Sequence, residues 1–592
     1  MPASIDKRRD PYPGKSRRLV LALDVGTTFS GAAWDVLEPG RVPEIKSVMG
    51  WENQAASDAK VPSVIFYDRQ GRACAFGAET EDEEVLERFE EEHWLEAKWW
   101  KLHLRPSHLP IIKDLKLPSL PPNVTVDDLF VDFLRYMIKQ VRAYIEPKYA
   151  DGKELWETLS PSMYIILTTP NGWEGVQQNR MRSAAIKAGI VDQDGGARIK
   201  FVTEAESAIN YAADSGNIDD WLVKNSHLIV GDLGGGTADF TCYVVKSTKP
   251  LRLEESSAAQ CCLAGGEFVS QAFKKYLEEY LSGSEWDKPE ILKEAVSHFD
   301  KHAKRTFVDL KMTSTIKLGT SPNSDASRNI RCSRLKISGE MMASFFASSL
   351  ELIKQSLEDV WINDNKIADV GLIHVTNFAL RLQRVVEWGK DFGIPVSRPD
   401  GPVVKAVPYG AIAWHIDDTV SSRVSKYHYG TDMHIPYDQD NNAHEGHHPW
   451  TDLEGELRVN HAWSGVVAKG IKIKQGKEFF STYVLSQEVT ASPIYETKIY
   501  VYRGTQARPP EFITFPGKSM LVPGFEVICK VRADLTACLN AHPVLRSKNN
   551  GKEYKKVEFK IGIALGETEI TARMHWKENG VAKKGPTTLA YD

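Results

Sequence analysis

Two short segments carry residue types suited to phosphate and metal chemistry: LVLALDVGTTFSGAAWDV, residues 19–36, and LIVGDLGGGTADFTCYVV, residues 228–245. Each reads as an apolar strand ending in aspartate, a turn of Gly and Thr, and a second apolar stretch. In such turns glycine lets the backbone approach an anion and aim N–H groups at it. Gly26, Thr27 and Thr28 make the first turn; Gly234, Gly235, Gly236 and Thr237 make the second. Asp24 and Asp232 end the two strands, where a carboxylate beside a polyphosphate needs an intervening cation. A pair of such aspartates suits hydrated Mg²⁺, which keeps several waters and takes few protein ligands. The repeated unit predicts a duplicated phosphate clamp. Two ordinary hairpins with glycine turns are the alternative, and short glycine motifs taken singly are weak.

The elements that must position these turns follow from periodicity. Residues 127–145 (DDLFVDFLRYMIKQVRAYI) place apolar side chains at helical spacing behind Asp127 and Asp128, and 266–281 and 340–361 read likewise. YIILTTP, 164–170, is a buried strand stopped by Pro170. Strands alternating with helices up to about residue 420 indicate an α/β architecture with helices covering sheets. A polar, histidine-rich stretch at 421–450 reads as a linker. Beyond it, short alternating runs such as KIYVYRG (498–504) and KKVEFKIGIAL (555–565) predict an antiparallel β-sandwich over 451–592.

Composition limits the function classes. The chain has 592 residues, 42% of them hydrophobic and 26% charged, with a net charge of −5. That is the makeup of a globular protein with nothing to draw it onto nucleic acid. No apolar run reaches the roughly 20 residues that span a bilayer. The first 18 residues are basic and polar without a hydrophobic core, so a flexible tail is expected rather than a secretory signal. Seven cysteines with no CxxC pair suggest reduced thiols in cytoplasm or nucleus.

Several further motifs occur in a fixed order: TPNGW (169–173), FVTEAESAINYAA (201–213), LAGGEF (263–268) and HAKRTF (302–307). Together with the two glycine turns they make the chain resemble the 70-kilodalton heat-shock chaperone family, specifically its divergent class-12 branch, over about 19–420. The resemblance implies an actin-like ATPase domain of two lobes, about 19–210 and 225–400, followed by a substrate-binding-like β-domain without its helical lid. It implies ATP or ADP with Mg²⁺ as cofactors and client polypeptides and co-chaperones as partners. By position, Asp24 and Asp232 would hold the metal, and Glu204 and Asp239 would place its waters and the attacking water. Gly26, Thr27, Thr28, Gly234, Gly235, Gly236, Thr237, Gly265 and Gly266 would contact phosphates. Lys304 and Arg305 would flank the adenosine. A phosphate lysine is expected within LEAKWWKLHL (95–104), with Lys101 favoured over Lys98.

The last motif departs from the family. Where typical members have paired glycines, DVGLIHVTNFALRLQ (369–383) has His374 and Val375, and Phe378 aligns with the arginine that stacks on adenine. Val404 replaces a typical aspartate. The phosphate half reads as intact and the adenosine half as eroded. A pseudo-ATPase scaffold is therefore one alternative, and a small-molecule kinase on the same fold another. Other features read as structural. His444, His447 and His448 fall in a polar loop, Trp94, Trp99 and Trp100 suit one packed helix face, and 81–96 suits a solvated acidic helix. Cys261 and Cys262 suit buried packing positions.

Overall fold

The computed structural model describes residues 9–54, 57–107, 109, 117–215, 218, 221–363, 370–376, 379–391, 396–397, 403–474, 476–565, 569–586 and 588–589. The architecture is mixed α/β, and the chain divides into two compact units, Met1–Trp173 with Arg180–Val420, and Glu174–Asn179 with Ser421–Asp592.

In the first unit, β1 (Arg18–Asp24) and β2 (Phe29–Leu37) form an antiparallel hairpin, with β3 (Lys60–Pro62) on the far edge of β2. The other edge of β1 runs parallel to β4 (Tyr164–Thr169), and β4 parallel to β5 (Ile199–Thr203). The same layout recurs downstream. There β6 (His227–Leu233) and β7 (Ala238–Thr248) form the hairpin, β8 (Leu251–Glu255) and β9 (Gln260–Cys262) pair with β7, and β10 (Val370–Thr376) runs parallel to β6.

The central strands β1 and β6 are near-continuous apolar runs because both faces are covered. Leu19, Leu21 and Leu23 of β1 pack with Phe130, Phe133 and Met137 of α2 (Val126–Ile145), below the α1 helix in chain order (Glu83–Glu91). Val20 and Ala22 face Ala411 and Ile412 of α6 (Ala406–Asp417). In the second sheet Leu228 and Val230 meet Ala205, Ala208 and Ile209 of α3 (Glu204–Ser215), while Ile229 meets Ile353 and Leu357 of α5 (Gly339–Asn363). Thr125 caps α2 in a reciprocal box with Asp128, which starts the helix at the expected place.

The second unit holds two antiparallel sheets. One contains β11 (His428–Pro436), β12 (Leu457–Val467), β14 (Ile494–Tyr502) and β15 (Phe525–Asp534); the other contains β13 (Glu478–Glu488), β16 (Glu553–Leu565) and β17 (Ile570–Glu578). Val467, Ile499, Val501 and Val531 from the first share one core with Val557, Phe559, Ile561 and Met574 from the second.

Five expectations need correction. The stretch 421–450 is not a linker, because β11 lies between β12 and β14 and buries Tyr429 and Thr431. Its histidines masked a strand with only a short inward face. His444 is also packed: its ring is 3% exposed, and Nδ1 accepts the Asp438 N–H at 3.1 Å. The basic tail is anchored from residue 9 onward, since Arg9 pairs with the half-buried Asp417 at 2.9 Å and with the buried Asp214 at 3.2 Å. Lys7 and Arg8 lie outside the described residues. Finally, LEAKWWKLHL is no helix face: Leu95–Ala97 is a strand, and Trp99 turns the chain with a φ of 54° into a 3₁₀ turn at Trp100–Leu104. The acidic helix is α1 alone, and none of its residues is buried.

Among the described residues no helix is long and apolar enough to cross a membrane.

His415, on α6 between the rings of Tyr164 and Trp414, is pushed down to about 4 by burial and by Lys200 and Arg18. Its folded pKa lies below its unfolded one, so its neutral form favours folding above about pH 6.5 and that contribution is lost as pH falls toward 4. The full loss is about 3 kcal/mol. Urea unfolding of His415→Phe across this range should show a shallower acid slope than the native chain.

Candidate active site

Strand register builds the site. In the first half, Asp24, Gly31 and Lys60 stand in one row across β1, β2 and β3. In the second half, Asp232, Asp239 and Cys261 stand in the matching row across β6, β7 and β9. The turns that follow Asp24 and Asp232 face each other so tightly that a Cβ on Gly235 would fall on the Thr28 side chain, and one on Gly236 on Thr27. Glycine is required there by close approach.

Six charged side chains meet at this place. Asp24 is 3% exposed; its Oδ1 accepts the Thr168 hydroxyl at 2.8 Å and its Oδ2 accepts Lys60 Nζ at 2.6 Å. Glu204, the first residue of α3, accepts Lys101 Nζ at 2.8 Å. Trp100, buried against Phe130 and donating to the Ser63 carbonyl at 3.0 Å, anchors the turn that aims Lys101 inward. Asp239 Oδ1 accepts the Asn171 N–H at 2.6 Å, while Oδ2 is buried with no hydrogen bond of ordinary geometry.

Electrostatics report an acid surplus. Burial raises Asp232 well above its usual range, and Glu204, Asp239 and Asp24 add to this. Burial and Glu204 push Asp239 up to about 7. Burial opposes ionisation of Asp24 too, yet Lys60, Lys101 and Thr168 outweigh it and hold that carboxyl low. Four carboxylates thus share two ammonium groups, and the second row carries the unmet charge. Asp24 and Asp232, the buried Asp239 carboxylate and the acid surplus fit a hydrated divalent cation bound by few protein oxygens. Among the described residues no group of three or more His, Cys, Asp or Glu side chains forms a metal cage.

The glycines divide into two kinds. The N–H groups of Gly265, Gly266 and Glu267 donate to the carbonyls of Gly236, Gly234 and Gly235 at 3.0–3.1 Å. Gly265 and Gly266 therefore brace the second turn instead of offering donors to an anion. Gly26 N–H is likewise engaged, by Ser30 Oγ at 3.2 Å, and Gly234 N–H by the Thr237 carbonyl at 2.9 Å. The amides of Thr27, Thr28, Gly235 and Gly236 have no hydrogen-bond partner among the described residues, which leaves donors from both turns open to an anion.

Other expected residues lie elsewhere. Lys98 pairs with Glu96 at 2.7 Å with its side chain 36% exposed, so of the two lysines only Lys101 enters the cluster. Lys304 is buried and bonds Ser270 Oγ and Asp300 Oδ1, each at 2.6 Å, while Arg305 is exposed. His374 and Val375 sit on β10 beside Gly231 and Asp232 of β6. Val404 lies in the turn before α6. Phe378 is outside the described residues.

Lys60, Thr168, Asn171 and Cys261 were missed as site residues. A polar Thr at the end of the buried YIILTTP strand was a usable signal; a lone lysine in AKVPS was not. Cys261 is half-buried, not a core residue, and abuts Asp239; burial and that carboxylate raise its thiol well above the usual range, which keeps it protonated.

No protein-family model matches the chain.

Proposed function

We propose that the first unit is an actin-like, two-lobed ATPase domain of the 70-kilodalton heat-shock chaperone kind, binding ATP or ADP with Mg²⁺ and hydrolysing ATP slowly. The observation that carries this reading is the pair of interlocked glycine turns, with open amides, above a buried centre of four carboxylates and two lysines. Asp24 and Asp232 would hold Mg²⁺, which supplies charge neutralisation for the phosphates. Lys101 lies where a cation can offset charge on the transferred phosphoryl group, a reaction in which positioning and electrostatics dominate. Asp239 Oδ2 and Glu204 are the acceptors available to orient an attacking water.

The second unit is proposed to bind extended client polypeptide by strand addition. The edge strand β13 supports this, because it exposes Phe480 and Val484. Co-chaperones as partners and a cytoplasmic or nuclear location belong to the same proposal. One observation favours a second reading, a pseudo-ATPase. His374 and Val375, in strand register with Gly231 and Asp232, stand where the family has the paired glycines that let an adenosine lie against the backbone.

Calorimetry with ATP, ADP and inorganic tripolyphosphate separates the two. Tighter binding of ATP than of tripolyphosphate, with slow phosphate release, is expected of a working ATPase. Equal binding of the two without phosphate release would favour the scaffold.

A further inference from the structure

Lys60 is the one cation in the site that the family resemblance did not supply. Its backbone is pinned on both sides: its N–H donates to Asp58 Oδ1 at 3.2 Å and its carbonyl accepts Gln54 Nε2 at 2.6 Å. Between it and Asp24 in the row stands Gly31, where a Cβ would lie 3.7 Å from Lys60 Cδ and 3.1 Å from the Ala59 carbonyl. The lysine stem passes over the backbone at Gly31 and places Nζ 2.6 Å from Asp24 Oδ2. Asp232 and Glu204 also act on that ammonium. The ammonium is thus paired directly with Asp24 and lies in the field of two further carboxylates of the same cluster. Its side chain keeps 20% exposure and a flexible four-carbon stem, so it can leave Asp24 without unfolding β3.

We propose that Lys60 is a tethered counter-cation: in the unloaded site it takes the positive-charge position between Asp24 and Asp232, and on loading it turns from Asp24 to the phosphate oxygens of the ligand. A divalent cation alone then competes with Lys60 for Asp24, whereas metal arriving with a polyphosphate does not. The site thereby rejects free metal and accepts the metal–polyphosphate complex. This rests on the nucleotide-binding reading above.

The test uses the full chain without nucleotide. Mn²⁺ alone is titrated by paramagnetic resonance, and inorganic tripolyphosphate in EDTA by calorimetry, for the native chain and for Lys60→Met, Lys60→Gln and Lys60→Arg. Lys60→Met and Lys60→Gln should bind Mn²⁺ at least about tenfold more tightly and tripolyphosphate at least about tenfold more weakly, because one positive charge has left a cluster of carboxylates. Lys60→Arg should keep Mn²⁺ binding as weak as in the native chain. Unchanged Mn²⁺ affinity in both neutral variants, with only a lower melting temperature, would make Lys60 a structural ion pair and overturn the proposal. If Lys60→Met does not fold, Lys60→Gln, which keeps polar length, gives the same reading. Tighter Mn²⁺ binding in the neutral variants, with no tripolyphosphate bound by any form, would support the counter-cation and overturn the nucleotide reading. The two failures are thus separable.

Discussion

Lys101→Met is expected to lower phosphate release by at least about a hundredfold, the scale of a lost charge-stabilising donor, and to cost about 3–5 kcal/mol of stability, the scale of a broken buried ion pair. Lys101 is 2% exposed, lies 2.8 Å from Glu204 Oε1, and stands over the Trp173 ring at 5.1 Å. Methionine keeps most of the volume and the ring contact but leaves a buried carboxylate beside Asp232 and Asp239 without its cation. The double variant Lys101→Met with Glu204→Gln removes that stranded charge, so it should recover most of the stability and none of the turnover. Urea unfolding and a phosphate-release assay on the single and double variants read the two effects apart. Full turnover in Lys101→Met would remove this lysine from the reaction.

Gly265→Ala should cost at least about 3 kcal/mol, the upper end for overpacking, and abolish nucleotide binding. Gly265 has φ −64° and ψ 172°, a conformation open to any residue, so only space is at issue. An added Cβ would land on the carbonyl group of Gly235 and break the N–H···O contacts that hold α4 (Gly266–Leu281) against the second turn. Gly234→Ala is the control, since its Cβ would meet only the Thr237 carbonyl, at 3.5 Å. It should cost less than about 1 kcal/mol. Thermal unfolding of the two variants decides this; equal losses would mean that the turn yields to an added methyl.

Much of the first unit was legible because its strands and helices obey local rules. The apolar runs at β1 and β6, the 3.6-residue period of α2 and α5, and Asp127 and Asp128 at the start of α2 each point one way. The site was legible where the chemistry repeats: Asp24 and Asp232 close equivalent strands, and the glycine turns follow. What could not be read came from pairing across the sheet. Nothing near AKVPS announces that β3 aligns Lys60 with Asp24, or that β9 aligns Cys261 with Asp239, because register is a tertiary property. The choice between Lys98 and Lys101 likewise depended on the left-handed Trp99, which turns one lysine outward and its neighbour inward. The amide partners of Gly265 and Gly266 were not legible for a related reason. Their N–H groups face turn carbonyls that no local pattern places there.

The most direct measurement is calorimetric titration of ATP into the native chain and Asp232→Asn, with Mg²⁺ and with EDTA. The native chain should bind ATP at least about tenfold more tightly with Mg²⁺ than without, as expected when carboxylates and phosphates share a cation. Asp232→Asn should lose that difference. No binding at millimolar nucleotide, or one affinity in all four titrations, would contradict the assignment of this centre as a metal–nucleotide site.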